Sequence, residues 1–298
     1  MAEVHIVDID GEQWDMKDLP LTEKVNLLGD NVKIRAIGES YKNPKNNIFR
    51  GKCLNGSANI QYPILPFSNS QTLSGGGYSI AQVLEKIANG SFDDIYIGDY
   101  IIDQNNKVYR IAGLDTELNK GDTPLTAHHA VIVPDYELTR MNWNPTGTTA
   151  NGYQNSAIQA YCDGNGQAIV ESVFGANHVL TLRDLLSSGM DASAPSSGYS
   201  AWRGAASSWD WSSHKVRLMS EVEVFGTKVW SSAFDIGTAG EQLPLFRLMP
   251  QLATGTRGDY WTSGIATADA ACVVSYGGYA SLVTPTLELG VRPRFVIG

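Results

Sequence analysis

Charge is scarce in this sequence. Asp, Glu, Lys and Arg make up 18% of 298 residues, against about 25% in an average soluble domain. Basic residues are the scarcer kind: 22 Lys and Arg stand against 31 Asp and Glu, for a net charge of −9. The basic patch or stripe of a nucleic-acid-binding protein is therefore missing. Cysteine is limited to Cys53, Cys162 and Cys272, far apart and without a C-x-x-C pair, which predicts small core residues in a protein made in a reducing cytoplasm. No apolar run approaches the ~18–20 residues of a membrane span. The N-terminus has neither a basic nor an apolar leader region, so no secretory signal is expected. Aromatics are plentiful, with 7 Trp, 13 Tyr and 8 Phe. That composition excludes a disordered chain, and this length buries a full core without a disulfide or a metal.

Residues 1–52 are the most charged stretch. Val4, Ile6, Ile9 and Trp14 around Asp10-Gly11 predict a short hairpin. Leu21–Leu28 fits one or two helical turns, and Val32, Ile34 and Ala36 fit a half-buried strand. Residues 53–84 hold no charged side chain, and Ser74-Gly-Gly-Gly77 reads as a hinge. This places a domain boundary near residue 77, between regions 1–77 and 78–298. Tyr78–Asn89 predicts a helix capped by Ser79, with Ile80, Val83, Leu84 and Ile87 as its apolar stripe. Residues 95–102 and 107–112 flank Asp103-Gln-Asn-Asn106 as a hairpin, and Ala130–Val133 is a strand stopped by Pro134. Ser156–Tyr161 begins a helix, broken at Asp163-Gly-Asn-Gly166 and continued over Ala168–Phe174. Thr181 is expected to cap a short helix through Leu186, and residues 191–213 are expected to be mostly loop. For Val216–Trp230, helix and strand both fit. Late strands are expected over 271–276 and 290–297. Short helices first and hairpin strands last predict an α+β fold.

Familiar chemistry is sparse. His128 and His129 are adjacent, so on a strand they point to opposite faces, one buried and one exposed, and do not share a metal. HExxH, GxSxG and P-loop patterns are absent. Asp163-Gly-Asn-Gly-Gln167 begins like a calcium loop, but the twelfth position is Phe174 rather than Glu, so the calcium reading fails. Glu221 and Glu223 share a face if they lie on a strand, which predicts a solvated strand face. No catalytic residue, metal or cofactor is assigned. Residues 196–213 combine Tyr199, Trp202, Trp209 and Trp211 with Ser and Gly, the composition of binding loops. Tyr260, Trp261, Tyr276 and Tyr279 form a second aromatic set. Trp209 and Trp211 also fit as anchors of their loop to the core.

Asp259-Tyr-Trp-Thr-Ser263 and Gly290-Val-Arg-Pro-Arg-Phe-Val-Ile297 resemble the ending of C-type-lectin-like domains. The likeness is to a domain of unknown function common in Firmicutes bacteria and their phages. Ile95-Tyr-Ile-Gly-Asp-Tyr100, Thr126-Ala-His-His-Ala-Val-Ile-Val-Pro-Asp135 and Phe174-Gly-Ala-Asn-His178 look like the same family, and the likeness spans about residues 78–298. Ile6-Val-Asp-Ile-Asp-Gly-Glu-Gln-Trp-Asp-Met-Lys-Asp18 resembles the attachment segment that opens phage fibre and tail proteins. The sugar-and-calcium motifs of true C-type lectins are missing; the nearest string is Glu241-Gln-Leu-Pro244. The Asn-rich tail of retroelement-diversified phage proteins is missing too. The paired active-site cysteines of the formylglycine-generating enzymes, which share the fold, are not matched by the lone Cys272.

The resemblance implies a C-type-lectin-like domain of short helices and antiparallel strands behind a small β-rich attachment segment. The implied protein is a phage fibre, tail or capsid-decoration component, not an enzyme, made in the host bacterial cytoplasm and carried on the virion. Attachment to other virion proteins is expected through residues 1–60, with Ile6, Ile9 and Trp14 as contacts. A homotrimer is expected, with a host-surface glycan or protein as receptor and Tyr199, Trp202, Trp209, Tyr260, Trp261, Tyr276 and Tyr279 as binding residues. Neither nucleic acid nor membrane insertion is expected. The alternatives are a bacterial carbohydrate-binding module, which needs an export signal, and an enzyme on the formylglycine-generating scaffold.

Overall fold

Turn chemistry starts the first elements. In the computed structural model, which describes residues 6–9, 12–15, 43–56, 77–190, 206–231, 240–255 and 257–298, β1 (Ile6–Ile9) and β2 (Glu12–Asp15) pair antiparallel on either side of Asp10-Gly11. The stretches 21–28, 32–36 and the hinge 74–77, apart from Gly77, lie outside the described residues. Helix α1 (Ile80–Ala88) begins at a capping box. The Ser79 hydroxyl accepts the Gln82 N–H, and the Gln82 side chain accepts the Ser79 N–H. Of its predicted stripe, Val83, Leu84 and Ile87 are buried and Ile80 is partly exposed. Strands β3 (Tyr100–Ile102) and β4 (Val108–Leu114) close over a turn in which Asp103 accepts the N–H groups of Asn105 and Lys107.

The chain is α+β, and its last ten residues join two sheets. Strand β14 (Leu289–Val291) lies between β11 (Tyr260–Thr267) and β6 (Thr139–Met141). That sheet continues from β11 through β12 (Ala270–Val274) to β13 (Ala280–Val283). One residue later, β15 (Pro293–Ile297) enters the other sheet, with β5 (Ala130–Pro134) on one side. On its other side are β7 (Val179–Leu180) and β10 (Val216–Leu218). Strands β4 and β3 follow β5 outward. All five residues of β5 and of β15 are buried, as expected for strands covered on both faces.

Arg292 occupies the crossover. Its guanidinium donates to the carbonyls of Pro134 and Leu252 and lies over the rings of Tyr260 and Phe246. A buried arginine is tolerable there because carbonyls and ring faces replace water.

Three stretches differ from the sequence expectation. Residues 43–56, expected on the far side of a boundary at 77, pack into the body beside β3. The Asn46 amide brackets the backbone of Leu114, accepting its N–H and donating to its carbonyl. Arg50 pairs with buried Asp99. Gly98, at φ +84°, gives up to the Phe49 ring the space a Cβ would fill. Second, Asp163–Gly166 does not break its helix. Helices α2 (Ala157–Tyr161) and α3 (Gln167–Phe174) run through a π turn at Cys162–Gly166. Third, the helix expected after Thr181 is a strand. β8 (Leu182–Met190) pairs with β9 (Ala206–His214), inside the stretch expected to be loop. Leu182, Asp184 and Leu186 face inward at period two. All three cysteines are buried, and none forms a disulfide among the described residues.

Candidate functional site

The root of the β8–β9 hairpin sits on a buried ion network. Helix α4 (Glu221–Phe225) starts at a second capping box, Ser220 with Glu223. This turns Glu223 inward, where it meets both Arg217 and Arg294. Arg217 lies between Glu223 and Asp184, at 2.8 and 2.9 Å. Arg294 joins Glu223 to Glu117. His129 is buried beside them. Its Nε2 accepts the Glu117 N–H, and its Nδ1 donates to the Ala127 carbonyl. Burial pushes its imidazole toward the neutral form. His128, 45% exposed, faces Asp115 instead. Glu221 is buried too, where its carboxylate accepts the N–H groups of Val229, Trp230 and Ser231. The solvated strand face expected of this pair is thus corrected: a helix start turns both glutamates into the interior.

Burial opposes ionisation of Glu117, but the charge of Arg294, with Lys120 and Arg217, outweighs it and holds the carboxyl at about 2. The unfolded group titrates near 4.5. Its contribution is therefore present above pH 4.5 and is lost as pH falls toward 2. The expected size is on the order of 3 kcal/mol. Urea unfolding of the wild type and of Glu117→Gln checks this. The two stabilities are expected to converge between pH 4.5 and 2, and parallel pH profiles contradict the assignment.

Above this network lies a cavity of about 280 Å³. Glu117 and Lys120 reach it from the loop between β4 and β5, and Leu182, Asp184 and Ser213 reach it from the hairpin. The loop lies close on the hairpin at Gly121, where a Cβ would stand 3.0 Å from the Arg183 carbonyl and 3.6 Å from the Trp211 ring. Gly121 has φ +87°, a conformation glycine takes without penalty. Arg183 is held by Asp122 at 2.8 Å.

A second polar cluster joins β9 to the π turn. His214 Nδ1 lies 2.7 Å from Asp163 Oδ1, and Nε2 lies 2.8 Å from the Ser212 hydroxyl. Gln159 donates to Asp163 and to the Val216 carbonyl. The order Asp–His–Ser is that of an activated hydroxyl. However, Ser212 is only 9% exposed, and its cross-strand neighbour is the Asp184 carboxylate. A hydroxyl this buried leaves a substrate carbonyl little room to reach it. The cluster's evident effect is to tie the hairpin root to the helix.

The predicted aromatic residues do not form one patch. Tyr260 and Trp261 are fully buried in β11. Tyr260 faces Arg292, and Trp261 Nε1 donates to the Met141 carbonyl at 2.9 Å. Their assignment as binding residues is corrected: both faces of this central strand are covered, so neither ring is presented to a ligand. Trp209 and Trp211 are half-buried on the outer face of β9, opposite Ser187 and Leu185. Tyr276 and Tyr279 are 66% and 58% exposed in the turn between β12 and β13. That turn is pinned by Asp259, which accepts the Tyr276 N–H. Trp230 supports it from the side, its Nε1 donating to the Ala280 carbonyl. The hairpin's far strand end is elsewhere. There Met190 contacts Thr149, which donates to the Thr267 carbonyl at the end of β11. Tyr199 and Trp202 lie outside the described residues, as do the side chains of Ile6, Ile9 and Trp14.

Sequence reasoning missed Glu117 and Lys120. They stand in a loop without a motif, and only the fold brings them to the hairpin root. No helix among the described residues is long and apolar enough to cross a membrane. No family model, no curated protein and no solved structure matches the chain.

Proposed function

We propose that this chain is a bacteriophage virion protein of the structural or adhesion kind, a fibre, tail or capsid-decoration component that acts by binding. It attaches through its N-terminal region, with the β1–β2 hairpin as contact, and displays a C-type-lectin-like body toward a host-surface glycan or protein. In this reading the chain is made in the host cytoplasm and assembles as a homotrimer. The sequence resemblances at 6–18, 259–263 and 290–297 support the reading. The observation that carries it is the turn holding Tyr276 and Tyr279. Two large rings stand exposed on a turn fixed by Asp259 and Trp230. Rigid exposed aromatics give contact area at little entropic cost, as binding loops do.

The test is adsorption of the purified protein to host cells. A Tyr276→Ala/Tyr279→Ala double variant is expected to bind at least tenfold more weakly, since each lost anchor costs about 1–2 kcal/mol. Its urea midpoint is expected to stay unchanged, because both rings lie outside the core. Equal adsorption by the variant would remove the turn from the binding surface.

A further inference from the structure

We propose that the cavity at the hairpin root binds a small zwitterion of amino-acid size, its ammonium on Glu117 and its anionic group on Lys120. This inference stands apart from the adhesion reading and uses a different part of the molecule.

The argument begins with which charges are committed. Arg183 is held by Asp122, and Asp184 by Arg217. Glu117 is different. Its side chain is 6% exposed, and Oε1 accepts from Arg294. Oε2 receives no hydrogen bond among the described residues, yet it is not one of the sealed, unpartnered buried atoms. Lys120 is half-buried, and its ammonium makes neither a hydrogen bond nor an ion pair among those residues. The two are three residues apart on one turn, the Lys120 N–H donating to the Glu117 carbonyl. Their side chains nevertheless form no ion pair with each other.

Glu117 and Lys120 thus both line the cavity, and among the described residues neither Glu117 Oε2 nor the Lys120 ammonium has a hydrogen-bond partner. Charges taken partly out of water this way are costly unless compensated. Arg294 already balances the Glu117 charge, so what Glu117 offers a ligand is the acceptor Oε2. A ligand carrying only an anion leaves that oxygen without a donor, and one carrying only a cation leaves Lys120 without a counter-charge. A zwitterion satisfies both. The volume suits it: about 280 Å³ equals roughly nine waters of liquid and lies at the small end of ligand pockets. Leu125 and Leu182 supply an apolar wall, and Thr181 and Ser213 supply hydroxyls.

Isothermal titration calorimetry of the whole protein at pH 7 tests the proposal. The probes are glycine, β-alanine and γ-aminobutyrate, with ethylamine and propionate as single-charge controls. At least one zwitterion is expected to bind ten times or more tightly than both controls. Lys120→Ala is expected to weaken that binding at least tenfold. Lys120 is partly exposed and its side chain makes no ion pair among the described residues, so this variant is expected to stay folded, with a small fall in the urea midpoint from the support its charge gives ionised Glu117. Glu117→Gln is expected to weaken the zwitterion and ethylamine but not propionate. The proposal is overturned if no zwitterion binds at millimolar concentration, if a single-charge control binds as tightly, or if Lys120→Ala binds like the wild type.

Discussion

Glu223→Ala is expected to cost about 3–5 kcal/mol of folding stability, read as a fall in the urea midpoint at unchanged slope. Glu223 is the only carboxylate among the described residues bonded to both Arg217 and Arg294. Removing it leaves two buried guanidinium groups sharing Asp184 and Glu117, at opposite ends of the network. Each arginine then faces a hole in which no water shell can form. A loss of that size is a large fraction of the roughly 5–15 kcal/mol that holds a domain folded. A change under about 1 kcal/mol would mean that the network is hydrated and does not hold the hairpin root.

Trp261→Ala is expected to cost about 3–5 kcal/mol as well, through the cavity left in a closed core. The ring is fully buried, and its Nε1 satisfies the Met141 carbonyl of β6 across β14. The substitution therefore removes packing and orphans an acceptor at once. This separates the structural from the surface reading of the same residue. A ligand-facing tryptophan would lose binding at unchanged stability, whereas this one is expected to move the unfolding midpoint first.

The contrast between Trp261 and Tyr276 shows where sequence reasoning stops. Both sit in aromatic strings flanked by small residues, and composition treats them alike. Burial is decided by neighbours far along the chain, since β14 and β12 flank β11. A local hint existed: the uncharged run from Tyr260 to Ile265 fits a strand covered on both faces. Elements with local signals were legible. Ser79 capped α1 as expected, and Asp103 closed its hairpin.

The β8–β9 hairpin was not legible, because β8 is fixed by a partner that itself reads as a Ser- and Trp-rich loop. Ser220 with Glu223 was a readable helix start. Taking the two glutamates as a strand pair hid it, and with it the centre of the ion network. The cavity could not be foreseen at all. Its loop and hairpin walls are some sixty residues apart, and neither carries a motif.

The most direct measurement of the central claim is peptide mass spectrometry of gradient-purified phage particles from the host that encodes this chain. The account predicts its peptides at several copies per particle, released together with its attachment partner when particles are dissociated. Purified particles free of the chain, with the protein recovered instead from the host cell fraction, would contradict it.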